Sequence, residues 1–427
     1  MRGWLQQATG GLPRQFWLLW AGTLINRLGA FVVVYLAIYL TQRLGFSQSQ
    51  AGLVLGLYGV GGIVGTLTGG VLADRWGRRS TLLTAQVGGA TLMLAMGFER
   101  GIWQLALGAL LLGLFTEAAR PAFQAMMVDI IPDRDRIRAF SLNYWAINLG
   151  FASAAILAGF AAQVDYLLLF VVDAGTTLIT AAITLFLLSE TRPAHTGAAA
   201  SASHGPKPGL GTVFRDKIFV GFLVLNLFIV IVLMQHMSTL PIVMSTDGLS
   251  PATYGWVVAV NGLLIVAGQL FIPRLVGGRN RSRVLALGTL IIGIGFGLGA
   301  FADTAWLYAF SVLIWTCGEM LQTPSNAALI AALSPVALRG RYQGINSLSW
   351  SAGTALAPIF GGFVLEHFGR SALWLGCAGI GAMVAIGQLA SGPARERRAA
   401  TVRAGLAVTA ATESGSTAAA TAAATAT

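Results

Sequence analysis

Long apolar runs alternate with short polar connections along the whole chain. At about 1.5 Å per residue, a run of roughly 20 residues crosses a hydrocarbon core of about 30 Å as an α-helix. The pattern predicts six spans first: Phe16 to Leu40, Gln50 to Leu72, Thr81 to Phe98, Trp103 to Met127, Phe140 to Ala162 and Tyr166 to Leu188. Six more follow at Ile218 to Met244, Tyr254 to Phe271, Val284 to Phe301, Ala305 to Leu329, Gly344 to Leu365 and Ala372 to Ala390. Backbone groups in hydrocarbon must be satisfied internally, and these runs lack the alternation of a membrane barrel, so the expected fold class is all-α with twelve transmembrane helices. The divisions expected are an N-terminus over 1–15, a six-helix half over 16–189 and a second half over 218–392. A polar linker rich in Ala, Ser, Gly and Pro covers 190–217, and a tail expected to be disordered covers 393–427.

The halves are related to each other. Residues 120–159 align with 323–362 without a gap, at a constant offset of 203. Pro121 meets Pro324, Pro132 meets Pro335, Arg136 meets Arg339, Arg138 meets Arg341, Asn143 meets Asn346, Gly150 meets Gly353 and Gly159 meets Gly362. Matches of Ala and Leu come easily in such a composition, whereas coincident Pro, Arg, Asn and Gly do not. The sequence therefore holds two copies of one six-helix unit.

Composition agrees: 56% of the 427 residues are hydrophobic and 10% charged, with a mean hydropathy of +0.73, against about 25% charged in soluble domains. The net charge of +11 does not point to nucleic acid, because the basic residues are scattered over short connections. They act as orientation signals. Of 27 Lys and Arg, only Arg43, Arg100 and Arg370 fall in the outer loops of an N-terminus-inside topology and Arg27 and Arg120 fall within spans, which leaves 22 on the cytoplasmic side. Both termini are then expected in the cytoplasm, with the chain in the cell membrane. The basic cluster Arg395, Arg397, Arg398 and Arg403 reads as a positive-inside anchor or a contact to anionic headgroups. Cys317 and Cys377 lie inside apolar runs and form no disulfide framework. The first apolar run is too long for a cleavable leader and is expected to remain as the first span. No metal-ligand spacing, phosphate-binding loop or catalytic Ser/His/Asp set stands out, so no metal, cofactor or enzymatic activity is expected.

The connection after the second span reads Gly70-Val-Leu-Ala-Asp74-Arg75-Trp-Gly77-Arg78-Arg79. It resembles motif A of the major facilitator superfamily, in which glycines allow close helix approach and Asp74 and Arg78 offer a charge pair at the membrane edge. The equivalent connection, Gly268 to Arg283, keeps Arg274, Gly278, Arg279 and Arg281 but has Pro273 where an acid would sit. The resemblance covers roughly Phe16 to Ala390. It implies two pseudo-symmetric six-helix halves around a site near the midplane, worked by alternating access. Asp129 is similar to the carboxylate that the family pairs with motif A, as a gate residue. Within the superfamily the chain resembles bacterial drug:proton antiporters, and Glu117 to Arg120 resembles an acid-x-x-Arg pattern of one subgroup. Antiporters of this kind carry Gly-Pro-x-x-Gly-Gly in the fifth span, but here Ala154-Ala155 stands for Gly-Pro. Ordinary helix packing explains Gly150, Gly159 and Gly361 as well as antiport does.

Ionisable residues within spans face a cavity or a partner. Arg27, beside Asn26, either attracts an anionic group or holds a carboxylate of another helix. Glu117 and Arg120 share one helix face, as a static ion pair or as a titrating carboxylate tuned by its neighbour. Glu319 and Asp173 complete the proton-coupling candidates. His236, near Gln235, Ser238 and Thr239, is a packed neutral imidazole or a proton sensor. Tyr35, Asn148, His236, Asn326, Trp350 and Arg27 are the expected cavity residues.

The expected function is proton-coupled export of hydrophobic or amphipathic small molecules. Its partners would be a small-molecule substrate, protons and the lipid bilayer, with the chain as a monomer. Uptake by symport is the competing reading, and a sensor or enzyme is a third. Topology is directly testable: reporters at Ser201 and Ala404 should read as cytoplasmic and one near Asp247 as external. An external signal at Ala404 would refute the even helix count.

Overall fold

The computed structural model describes residues 11–132, 135–191, 211–268, 271–276, 279–335 and 338–403. The expectations for residues 1–10, for the linker over 192–210 and for the tail from 404 onward lie outside the described residues. Among the described residues there is no strand.

Among the described residues, helices occupy all twelve of the expected span positions. α1 comprises Arg14–Leu28, Val32–Ile38 and a π-turn over Tyr39–Arg43. α2 is Gln48–Arg75, α3 Arg78–Phe98, α4 Ile102–Ile130, α5 Arg136–Val164 and α6 Leu167–Leu187. α7 runs as Lys217–Leu233, Gln235–Ser238 and Leu240–Thr246. α8 is Pro251–Gly268, α9 Arg281–Leu298 and α10 Ala305–Leu333. α11 (339–368) and α12 (370–390) adjoin at Gly369, whose φ of +80° turns the chain without the penalty a side chain would incur.

The repeat survives into three dimensions. α4 and α10 both have 29 residues, and their ends and the starts of α5 and α11 keep the offset of 203 found in the sequence. Equivalent glycines meet equivalent helices. A Cβ at Gly150 of α5 would lie 2.5 Å from the Arg27 Cβ of α1, and one at Gly353 of α11 would lie 2.5 Å from the Val230 side chain of α7. Gly159 faces the Ala252 backbone of α8 at 2.7 Å, and Gly362 faces the Gln48 carbonyl of α2 at 2.5 Å. The packing reading of these glycines is therefore sufficient.

Two predicted spans are not continuous. α1 breaks at Gly29 to Phe31, and α7 breaks at Met234 and again at Thr239, just before Pro241. Hydropathy is blind to these breaks because the residues in them stay apolar or small. Their freed backbone groups are met from inside the protein. The Asp173 carboxylate accepts the Val32 amide at 3.0 Å, and the Tyr254 hydroxyl of α8 donates to the His236 carbonyl of α7 at 3.0 Å.

The tail also departs from expectation. Residues 392–403 form a further helix, α13, in place of disordered chain. It buries Arg395, Ala399 and Val402 at helical spacing against α7 and α9. Arg398 pairs at 3.1 Å with Asp216, which also caps α7 and accepts the Tyr342 hydroxyl of α11. Composition alone suggested a disordered tail, whereas over 392–403 partners distant in sequence hold it folded.

The core has a division that bears on function. One continuous cluster joins both halves toward the ends that carry Arg43, Arg100 and Arg370. Toward the other, basic face it splits in two: Phe16, Leu82, Met126 and Met127 gather in one half, and Phe219, Leu285, Ile330 and Tyr342 in the other. The halves are thus joined on the opposite face and part toward the basic face. α2 packs on α11 and α5 on α8 across the joint, where Gly52 meets the Pro358 carbonyl at 2.3 Å and Gly59 the Ala355 Cα at 2.4 Å, measured from an added Cβ.

Within the first half, α2 and α4 pack through glycine on both sides. A Cβ at Gly61 would fall 1.8 Å from the Leu110 carbonyl, and one at Gly113 would fall 1.9 Å from the Tyr58 carbonyl. Gly61→Val or Gly113→Val should therefore force the helices apart and cost about 3 kcal/mol or more, seen as lost monodisperse protein in detergent. Gly376→Ala, with open space around it, should leave yield and thermal midpoint unchanged.

Candidate functional site

A cleft at mid-depth lies between the halves. It is lined by Tyr58, Gly59 and Gly62 of α2, Glu117 and Arg120 of α4, and Trp350, Ser351 and Thr354 of α11. Gly62 makes room for the acid: a Cβ there would stand 3.0 Å from the Glu117 Cγ. One helical turn brings Arg120 to 3.3 Å from the Glu117 carboxylate. The Arg120 side chain remains 49% exposed while that of Glu117 is 21% exposed, so the pair is open to the cleft and not sealed in the core. Arg27 lies behind it, in the field of Arg120, Glu117, Tyr58 and Asp173. With both acids ionised the two arginines are balanced; protonating one acid leaves the group with a net positive charge.

Of the residues expected in the cavity or in coupling, the structure brings Glu117, Arg120 and Trp350 together. The others hold different positions. Tyr35 is fully buried, and its hydroxyl is shared between the Ala155 carbonyl at 2.8 Å and the Pro251 carbonyl at 3.0 Å, so it is a strut from α1 to the α5–α8 joint and not a cavity wall. Asp173 is buried as the cap of the α1 break, away from the cleft lining. The Asn148 amide bonds the Tyr144 carbonyl of its own helix. His236 packs between Phe151 and Trp315 with its Nδ1 2.5 Å from the Leu233 carbonyl. Glu319 accepts the Asn261 amide of α8 at 2.8 Å, and the buried Asn326 Oδ1 has no protein partner.

The motif A loop forms a charge hub at the basic face. Arg78 lies 3.1 Å from Asp129 and 3.6 Å from Asp74. Gly77 has a φ of +106°, and a Cβ on it would strike the Glu190 carboxylate at 2.3 Å. Glu190 accepts the amides of Arg78 and Arg79 at 2.9 and 3.1 Å, capping α3. Gly70 is not a close-contact site, since its nearest neighbour is the Pro121 Cβ at 4.0 Å; Gly69 fills that role, against the Ala118 carbonyl. Asp74 is largely exposed; Asp74, Arg78 and Asp129 belong to the first half, and Glu190 directly follows its last helix.

Sequence reasoning missed Tyr58, Ser351 and Thr354 in the cleft, Glu190 in the hub, and Glu366. Tyr58 had a usable signal, as a tyrosine on the same helix as Gly59 and Gly62. Glu190 and Glu366 had none, because their partners are remote in sequence.

Comparison with known proteins places these features. The pattern of the Major Facilitator Superfamily matches residues 19–245 and 235–412. The chain is 29% identical over 372 residues to YttB of Bacillus subtilis, an uncharacterised transporter of that type, covering 85% of this chain and 91% of the relative. It is 27% identical over 378 residues to the multidrug resistance protein MdtH of Escherichia coli, covering 84% and 90%. Among solved structures, the nucleoside transporter NupG superposes with a TM-score of 0.73 at 15% identity, over 89% of this chain and 99% of that one. A POT family transporter in complex with a thioalcohol-conjugated peptide gives 0.76 at 15%, over 91% and 98%. At such identities these likenesses concern the fold alone. Twelve helices in two repeated halves, a motif A hub and a family match across most of the sequence make this chain a member of the Major Facilitator Superfamily of transporters.

Proposed function

We propose that this protein exports hydrophobic or amphipathic small molecules from the cytoplasm in exchange for protons. The observation that carries the reading is the Glu117–Arg120 pair, half-open to a cleft walled by Tyr58 and Trp350. Aromatic faces accept varied apolar cargo, and a carboxylate beside a cation changes charge when a proton binds. The likeness to MdtH supports efflux. The basic face is the cytoplasmic one in this reading, by the Lys and Arg excess, so the cleft is open to the cytoplasm. The halves over 16–189 and 218–392 are the rocking bodies, and the Asp74, Arg78 and Asp129 hub is the gate that meets the second half when the cleft closes on this side.

Export is tested in a strain lacking its own exporters. The wild type should lower susceptibility across a panel of lipophilic compounds and lose that protection when the proton gradient is collapsed. Glu117→Gln, which keeps size and removes titration, should fall to the level of cells without the transporter while still binding cargo in detergent. Pumping at wild-type rates by Glu117→Gln would move the proton elsewhere, with Glu319 next. Accumulation of labelled compound inside cells would replace export by uptake.

The closed external side has its own latch. The Glu366 carboxylate of α11 accepts the Ser49 amide at 2.7 Å, at the N-terminus of α2 in the other half. Breaking it should open that side more often. In a background with Cys317 and Cys377 replaced, Ala252→Cys should react slowly with an impermeant maleimide applied outside. Adding Glu366→Ala should raise that rate about fivefold, the shift due to one solvent-exposed hydrogen bond of about 1 kcal/mol. Glu366→Gln, which keeps an acceptor, should stay near the starting rate.

A further inference from the structure

The buried stripe of α13 contains an arginine. Arg395 is 1% exposed in a row otherwise made of small and apolar residues, Gly392, Ala399 and Val402. Its guanidinium donates to the Gln388 side chain and carbonyl and to the Ser282 hydroxyl at 3.2 Å, and lies 5.9 Å from the centre of the Phe222 ring. These are neutral partners. Nε has none, and no described carboxylate lies within ion-pair distance of this side chain. Burial pushes its pKa down to about 10. A buried cation without a counter-ion is unfavourable, and such groups are normally paired.

Arg395 lines a cleft of about 560 Å³ between α13 and the basic-face ends of α9 and α10. Arg281 and Arg403 line it too, and neither has an ion pair among the described residues. Arg281 stands at the N-terminus of α9, where the helix dipole is already positive, so the repulsion adds to that of Arg395. The one acid at the rim, Glu396, is bonded to Asn280 at 2.5 Å. Below the charges the wall is apolar, formed by Ala328, Leu329 and Ala332 of α10. Three cations above an apolar wall, at the level where spans leave the bilayer, suit a ligand with an anionic head and a hydrocarbon tail.

We propose that this cleft binds one anionic phospholipid of the adjoining leaflet, its phosphate held by Arg281, Arg395 and Arg403 and its acyl chain lying along α10. The bound lipid supplies the missing counter-ion and clamps α13 to the second half. A free phosphate ion would satisfy the charges but gain nothing from the apolar wall.

The test uses the full chain in detergent, titrated with phosphatidylglycerol, phosphatidylcholine or glycerol 3-phosphate, with bound lipid counted by native mass spectrometry and thermal unfolding followed in parallel. The wild type should retain one phosphatidylglycerol in preference to phosphatidylcholine by about tenfold or more, and should unfold at a higher temperature with it. The double variant Arg281→Gln with Arg403→Gln leaves the buried Arg395 in place and should fold; it should lose both the preference and the thermal shift. Arg397→Gln, outside the cleft lining, should keep them. Equal retention by the double variant, or equal stabilisation by glycerol 3-phosphate, would overturn the proposal.

Discussion

A helix surrounded by lipid gains no hydrophobic free energy by exchanging lipid for another helix, so its association depends on how closely the backbones approach. The rest of this structure depends on that constraint. Glycine sets the approach twice on α2: Gly61, Gly65 and Gly69 toward α4, and Gly52, Gly56 and Gly59 toward α11. One helix thereby presents a face to its own half and another to the opposite half. Its side chains are sparse enough to leave space at Gly59 and Gly62, which is where the cleft forms.

The second constraint is that backbone groups released inside the membrane must find partners there. α1 and α7 are both interrupted, and each interruption is met from another helix of its own half, by Asp173 of α6 and by the Tyr254 hydroxyl of α8. A side chain committed to such a bond is a structural element even when it is ionisable. Glu117 differs because its ion-pair partner is the half-exposed Arg120 of its own helix and it faces the cleft, not a backbone group of another helix.

The sequence made legible whatever repeats or is local. Span number, the offset of 203 and the motif A loop follow from periodicity and neighbouring residues, and Glu117 with Arg120 follows from three-residue spacing. Groups whose meaning depends on a distant partner were not legible. Tyr35 reads as a cavity residue until its hydroxyl is seen between Ala155 and Pro251. The tail reads as disordered until Arg398 is seen on Asp216 and Val402 in a buried stripe. The motif points to Gly70, and the close contact falls on Gly69, because a motif gives a position in the sequence but not the facing helix.

The split of the core toward one face has an electrical consequence. In the proposed export cycle, water entering from that face would carry its potential inward to Glu117, and the membrane voltage would fall across the packed layer that holds Tyr35, Tyr254 and Trp315 on the other side. If the halves rock as proposed and the packed layer re-forms on the opposite side of Glu117, the field would move past the charge. A proton carried at that carboxylate, as the export proposal has it, would then cross the full voltage, about 2.3 kcal/mol per 100 mV, although the side chain itself would shift only with its helix. In such an arrangement the work comes from relocating the insulator, and the charge can remain where the fold has put it.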